Sequence, residues 1–336
     1  MKKQVTMSDI GKELNVSTVT VSKALGDKDG VSEELREKIK VKAAQMGYRY
    51  NSSAKISREG RTHNIGIVVA KRYFAETSSF YWVMYKHIVE YLARKNYYAL
   101  LEVVSDESEF LCEKPKSITA NKIDGLIVLG QMTDDYVKSI RKISKPIVLL
   151  DFYGSKSSVD SVLSDSFYGS YMITCHLLEN GHTDIGFVGT ISATSSIQDR
   201  YLGYYKALLE YNIDLREDWI IDDRDGHNNY NEIALPEEMP TAFVCNCDEA
   251  AYRLVNQLKE MDLNVPDDIS VVGYDNYIYS TISRPQLTTV DVNSKKMAAE
   301  AVDIIVKKIK DPSYTIGRTL VTGNLIKRDS VKKLND

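Results

Sequence analysis

Only four cysteines, Cys112, Cys175, Cys245 and Cys247, occur in 336 residues, and they are scattered. That excludes a disulfide framework and makes the reducing cytoplasm the expected compartment. No apolar run approaches the roughly 18 residues of a membrane span, and the start Met1-Lys2-Lys3-Gln4-Val5-Thr6 leads into no apolar signal core. No membrane partner is therefore expected. The five histidines form no H-E-x-x-H, and the chain has no G-x-S-x-G, no Walker loop and no G-x-G-x-x-G after a strand. Cys245-x-Cys247 lacks a second ligand pair nearby. The sequence thus offers no catalytic residue, no metal site and no cofactor, and the protein is not expected to be an enzyme.

What remains is an ordinary globular composition, 43% hydrophobic and 27% charged, on a chain long enough for two or three domains. The net charge of −4 conceals an asymmetry: residues 1–61 carry 13 basic against 8 acidic side chains, and the rest carry 30 against 39. A short basic head on a long acidic body suggests a polyanion-binding module joined to something that does not bind polyanions.

The head reads as three helices. Thr6 caps the first, with Asp9 in its first turn and Ile10 and Leu14 as its apolar stripe. Ser17 caps a second over Thr18–Leu25, with Val21 and Leu25 facing inward. Ser32 caps a third, whose stripe is Leu35, Ile39, Ala43 and Met46 and whose stop is Gly47. Two short helices joined by a tight turn and backed by a third make a helix-turn-helix candidate.

From Ile65 the period changes. Apolar runs at 65–69, 99–104, 125–129, 146–150, 185–188, 241–245, 269–273 and 287–290 read as buried strands. Helices are expected at 81–95, 166–179, 199–211, 248–261 and 294–309, and a final strand at 320–327. This rhythm describes parallel α/β units in two sheets, with ligands at the carboxyl ends of strands.

The residues Val16-Ser17-Thr18-Val19-Thr20-Val21-Ser22-Lys23-Ala24-Leu25, with Asp9-Ile10, Val31-Ser32, Lys38-Ile39 and Met46-Gly47-Tyr48, resemble the head of the LacI/GalR repressor family. Gly181-His182-Thr183-Asp184-Ile185-Gly186-Phe187-Val188-Gly189, Asp199–Tyr204, Pro266–Asp275 and Pro285–Val290 extend the resemblance over almost the whole chain. It implies a small all-α head (1–50), a hinge (51–63) and a two-lobed α/β core similar to periplasmic sugar-binding proteins. The lobes would be 64–160 with 291–336, and 161–290, crossed near 160, 290 and 320.

The resemblance implies that Thr18 and Val19 read bases and that Lys23 contacts guanine, as their chemistry allows. Thr6, Ser17, Thr20 and Ser22 join the DNA-binding set, the last three suited to phosphate. Asn51, Lys55 and Ile56 are the hinge residues expected near DNA. Tyr50 stands where the family has Pro, and Ser57 where it has the Leu that wedges into the minor groove. In the core the resemblance implies Asp151, Arg200 and Asp275 as polar effector contacts, which suit a sugar's hydroxyls. Phe80, Tyr81 and Trp82 offer flat faces to it. Cys247-Asp248 replaces the family's Asn-Asp, so an amide contact is lost or moves to Asn246. The expected protein is a ligand-responsive repressor, a homodimer on a pseudo-palindromic double-stranded operator, answering to a small molecule, first of all a sugar. A nucleobase or a protein co-regulator in place of the sugar, and a sugar-processing enzyme with a helical head, are the alternatives.

Overall fold

The computed structural model describes residues 5–26, 28–48, 60–74, 80–154, 158–225 and 229–334. The chain divides into two compact units, Met1–Thr62 and His63–Asp336. The expected hinge contacts Asn51, Lys55 and Ile56 lie outside the described residues.

The first unit holds α1 (Met7–Leu14), α2 (Thr18–Leu25) and α3 (Glu33–Gln45) around Ile10, Val21, Ala24, Ile39 and Ala43. Each helix starts on a hydroxyl cap: Thr6, Ser17 and Ser32 accept from the backbone N–H three residues on. Gly11 sits where a β-carbon would stand 2.7 Å from the Val16 carbonyl, so the α1–α2 turn closes over a residue without a side chain. The stripe of α3 differs from expectation. Leu35 and Met46 are only partly buried, and Arg36 takes an inward place.

The second unit begins with β1 (Asn64–Ala70), α4 (Phe80–Arg94), β2 (Tyr98–Val104), α5 (Asp106–Phe110), α6 (Lys116–Thr119), β3 (Gly125–Leu129), α7 (Asp134–Arg141), β4 (Ile147–Leu150) and β5 (Ser161–Ser164). It continues with α8 (Ser166–Glu179), β6 (Ile185–Val188), α9 (Ser195–Glu210), β7 (Ile220–Ile221), β8 (Ala242–Cys245), α10 (Asp248–Glu260), β9 (Ser270–Val272) and α11 (Ile278–Ile282). The last elements are β10 (Thr289–Asp291), α12 (Ser294–Lys310), β11 (Arg318–Val321) and β12 (Asn324–Ile326).

Two sheets result, with every named strand pair within them parallel: β11-β5-β4-β3-β1-β2 and β7-β6-β8-β9. The strands at the centre, such as β3, β4 and β8, are buried along their whole length, as parallel strands covered on both faces must be. An antiparallel ribbon of β10 and β12 lies beside β9, where Gly273 and Asp275 donate their N–H groups to the Thr288 and Val290 carbonyls.

Three boundaries move from their expected places. β5 pairs with β4 and β11, so the first lobe runs past 160 and the chain leaves it only after Ser164. The expected strand 320–327 is two strands in different sheets. Residues beyond Val321 do not stay with the first lobe: Val271 donates its N–H to the Ser330 carbonyl and Leu334 to that of Asn180. The tail thereby satisfies the open edge of β9. The His182 ring also lies 2.9 Å from the Lys332 carbonyl, a structural role for this buried histidine. Finally, α9 begins one turn before the expected 199, because Thr194 caps it by accepting from Ile197 N.

Candidate functional site

At about 100° per residue, Thr18, Ser22, Val19 and Lys23 share one arc of α2, opposite the buried Val21 and Ala24. Thr18, Val19 and Lys23 are exposed, Val19 at 66%. An exposed valine on a short capped helix is an apolar surface left open by the described residues of its own unit. Two of the hydroxyls expected at phosphate, those of Ser17 and Thr20, already hydrogen-bond locally, as does that of Thr6. Ser17 Oγ lies 2.8 Å from Thr20 Oγ1 and accepts from Thr20 N at 3.0 Å, and Thr6 Oγ1 donates to Asp9 at 2.7 Å. The opposite end of α2 is held by a residue that periodicity missed. Arg36 donates to the carbonyls of Ala24 (3.5 Å) and Lys23 (3.5 Å) in the last turn, each of which also accepts a backbone N–H, and to that of Lys28 (2.9 Å) in the loop beyond it.

In the second unit a cavity of about 460 Å³ lies between the carboxyl ends of the two parallel sheets. Asp151 follows β4 and Asp275 follows β9, with φ of 67° and 107°. Both are left-handed conformations uncommon outside glycine, and such strain collects at ligand sites. Arg200, on the second turn of α9, donates to Asp275 Oδ1 at 3.2 Å and to the Asn246 carbonyl at 2.5 Å. Its guanidinium lies 3.9 Å from the centre of the Tyr274 ring. Its Nε is buried without a hydrogen-bond partner among the described residues. Tyr81 donates its hydroxyl to Asp151 at 2.9 Å. Burial pushes the Asp275 carboxyl up to about 6, the Arg200 charge opposing and the Asp151 charge reinforcing the rise. Asp151 is also raised by burial, against the pull of Arg200 and of the Tyr81 hydrogen bond.

Of the expected effector residues, Phe80, Tyr81, Asp151, Arg200, Asn246, Asp248 and Asp275 border this cavity. Trp82 does not. It points off the other side of α4 and stacks on Phe74 with ring centres 3.9 Å apart. Two of the bordering residues are already engaged. The Asn246 amide donates to Asp223 (2.7 Å) and the Val188 carbonyl and accepts from Arg224. The lost amide contact is therefore not taken over by a free Asn246 side chain. Asp248 accepts from Thr289 Oγ1 at 2.6 Å and Tyr277 N at 2.7 Å, fastening α10 to β10. Cys247 caps α10 with its sulfur, beside the Tyr230 hydroxyl at 3.4 Å. Burial lifts its thiol to about 11, leaving it unreactive as a nucleophile.

Sequence reasoning missed Arg72, Arg224, Tyr230 and Arg253 in the cavity wall. Tyr230 lies between two guanidinium groups, Arg224 at 4.7 Å and Arg253 at 4.4 Å from its ring centre. Arg224, Tyr230 and Arg253 follow no long apolar run, the signal that picked out Asp151 and Asp275, whereas Arg72 stands two residues past the run that ends at Ala70. Among the described residues no group of His, Cys, Asp and Glu could hold a metal ion, and no helix is long and apolar enough to cross a membrane.

Comparison with known proteins bears on both units. Residues 6–51 match bacterial regulatory proteins of the lacI family, and residues 174–331 match the periplasmic binding protein-like domain. The HTH-type transcriptional repressor PurR of Actinobacillus pleuropneumoniae serotype 3 (strain JL03) is 30% identical over 341 residues, 98% of this chain and 99% of the relative. The repressor of the same name from Vibrio campbellii (strain ATCC BAA-1116) is 28% identical over 336 residues, with the same coverage of 98% and 99%. The structure of the Lac repressor dimer bound to operator and the anti-inducer ONPF superposes with a TM-score of 0.78 at 21% identity, covering 98% of this chain and 100% of that one. The CelR–cellobiose complex does so at 0.68 and 22% identity, covering 97% and 100%. At these identities the two structures establish the fold. The curated relatives are repressors, not enzymes. The chain belongs to the lacI family of bacterial regulatory proteins: it is a DNA-binding transcriptional regulator that joins a helix-turn-helix head to a periplasmic-binding-protein-like effector core.

Proposed function

We propose that this regulator acts in the cytoplasm as a homodimeric repressor on a pseudo-palindromic operator and that a small sugar in the cleft sets its DNA affinity. One observation carries the choice of ligand: Arg200 Nε, buried and unpartnered among the described residues, lies on a guanidinium held beside Asp275. A donor waiting next to a fixed acceptor, with Asp151 across the cleft, matches the alternating lone pairs and hydroxyls of a polyol. A related fold carries cellobiose and another carries bound ribose, the latter with a TM-score of 0.66 at 24% identity over 81% of this chain and all of that one. Two heads are needed because one recognition helix reads too few base pairs for useful affinity. In the head, Thr18, Val19 and Lys23 read bases, with Ser17, Thr20, Ser22 and Thr6 near phosphate. The sequence resemblance adds Asn51, Lys55 and Ile56 to the DNA-binding set.

A nucleobase is the second reading, because Tyr73, Phe80 and Tyr81 line the cavity with flat rings on which a planar base would stack. A thermal-shift screen of the full chain against neutral sugars and nucleobases tests the choice. Stabilisation by a sugar is expected. Stabilisation by nucleobases alone would replace the first reading with the second, and a response to neither would favour a protein co-regulator.

A further inference from the structure

Four guanidinium groups line the cavity, and among the described residues it has no lysine in its wall. Each of the four is held by a carboxylate: Arg72 by Glu109 at 2.6 Å, Arg200 by Asp275 at 3.2 Å, Arg224 by Asp223 at 2.6 Å and Arg253 by Glu249 at 2.8 Å. Two carboxyl groups in the wall have no such cation. Asp151 takes the Tyr81 hydroxyl, and Asp248 takes Thr289 and a backbone N–H. The set therefore holds more carboxyl groups than cations. A second cavity of about 940 Å³ shares Arg72, Tyr73, Thr194 and Arg224 with the first and adds Asp106, Asp134, Asp222 and Asp225 to its wall.

We propose that the cleft selects an uncharged ligand and turns phosphorylated ones away. This rests on the reading of the cavity as the effector site and narrows the class of molecule it takes. A phosphate entering the cavity meets no cation that lacks a carboxylate partner. To neutralise its charge it must share a guanidinium with the carboxylate already paired to it, which is most costly at Arg200–Asp275 and Arg224–Asp223, where both partners are largely buried. A hydroxyl makes no such demand. It can accept from Arg200 Nε and donate to Asp151 or Asp275 while every pair stays closed.

Calorimetry on the full chain tests this, and each uncharged parent compound is expected to bind at least tenfold more tightly than its phosphate ester. Calorimetric titrations of paired probes separate this proposal from the sugar reading: ribose against ribose 5-phosphate, cellobiose against its phosphate ester, and adenosine against its monophosphate. An ester binding as tightly as its parent overturns charge selection and leaves the sugar reading standing. Binding of adenosine alone, with its ester roughly 100-fold weaker or worse, overturns the sugar reading and supports charge selection.

Discussion

Arg200 meets Asp275 at 3.2 Å with one terminal nitrogen, so the guanidinium is oriented before any ligand arrives. The Tyr274 ring beneath it and the Asn246 carbonyl beside it fix the remaining freedom. A preorganised donor loses less entropy on binding, which is how a small polar ligand reaches useful affinity. The arrangement carries a cost to the fold, because Asp275 is ionised in a site that disfavours its charge.

That cost gives the first prediction. The Asp275 carboxyl, ordinarily at 3.8, stands at about 6 in the folded chain. A raised acid supports the fold fully below its unfolded value and loses that support as pH rises through the folded one. The penalty reaches about 3 kcal/mol above pH 6, to within a factor of two. Asp275→Asn, which also suits the left-handed backbone there, is expected to unfold at a higher temperature than the parent at pH 7.5 and at nearly the same temperature at pH 4. Calorimetric scans across this range check it; an advantage that shrinks as pH rises would contradict it.

The second prediction concerns base reading. Lys23→Ala is expected to cost about 1–3 kcal/mol on the operator and to relax preference at one base pair, with little change on random DNA. Equal loss on both DNAs would make Lys23 a phosphate contact.

Arg36 supplies the third. It is 8% exposed and serves three carbonyls at the end of the recognition helix. Arg36→Ala removes the side-chain donor from the Lys28 carbonyl and the second donor from those of Lys23 and Ala24, and is expected to destabilise the head by about 1–3 kcal/mol while the core's melting is unchanged. Proteolysis of the head, monitored beside the core's thermal transition, separates the two effects. A head as resistant as the parent's would show that water replaces the guanidinium.

How far the sequence carried the site depends on where each residue sits. Asp151 and Asp275 were legible because each ends a run of apolar residues, and a charge at that point of a parallel sheet faces the crevice. Arg200 was legible through the landmark around it. Trp82 was not, because spacing along a helix does not say which aromatic faces the cavity; here Phe74, four residues past the end of β1 and outside α4, stacks on it. The wall residues Arg224 and Tyr230 belong to the connection between β7 and β8, where no periodicity marks an inward direction. β5 escaped notice because only two apolar residues, Val162 and Leu163, separate its serines. The split of the C-terminal strands follows from pairing partners far away in the chain, which local pattern does not encode.

The central claim is that occupancy of the cleft controls the head, and one experiment addresses it directly. Operator DNA selected from a random pool is titrated with the parent chain and with Arg200→Ala, each with and without the ligand found by screening. Losing a hydrogen-bonded charged group worth about 1.5–3 kcal/mol should shift the ligand concentration needed for a response by roughly tenfold to a hundredfold. Operator affinity without ligand should be the same for both chains. A variant that responds at the parent's ligand concentration, or that binds operator differently before any ligand is added, would contradict the account.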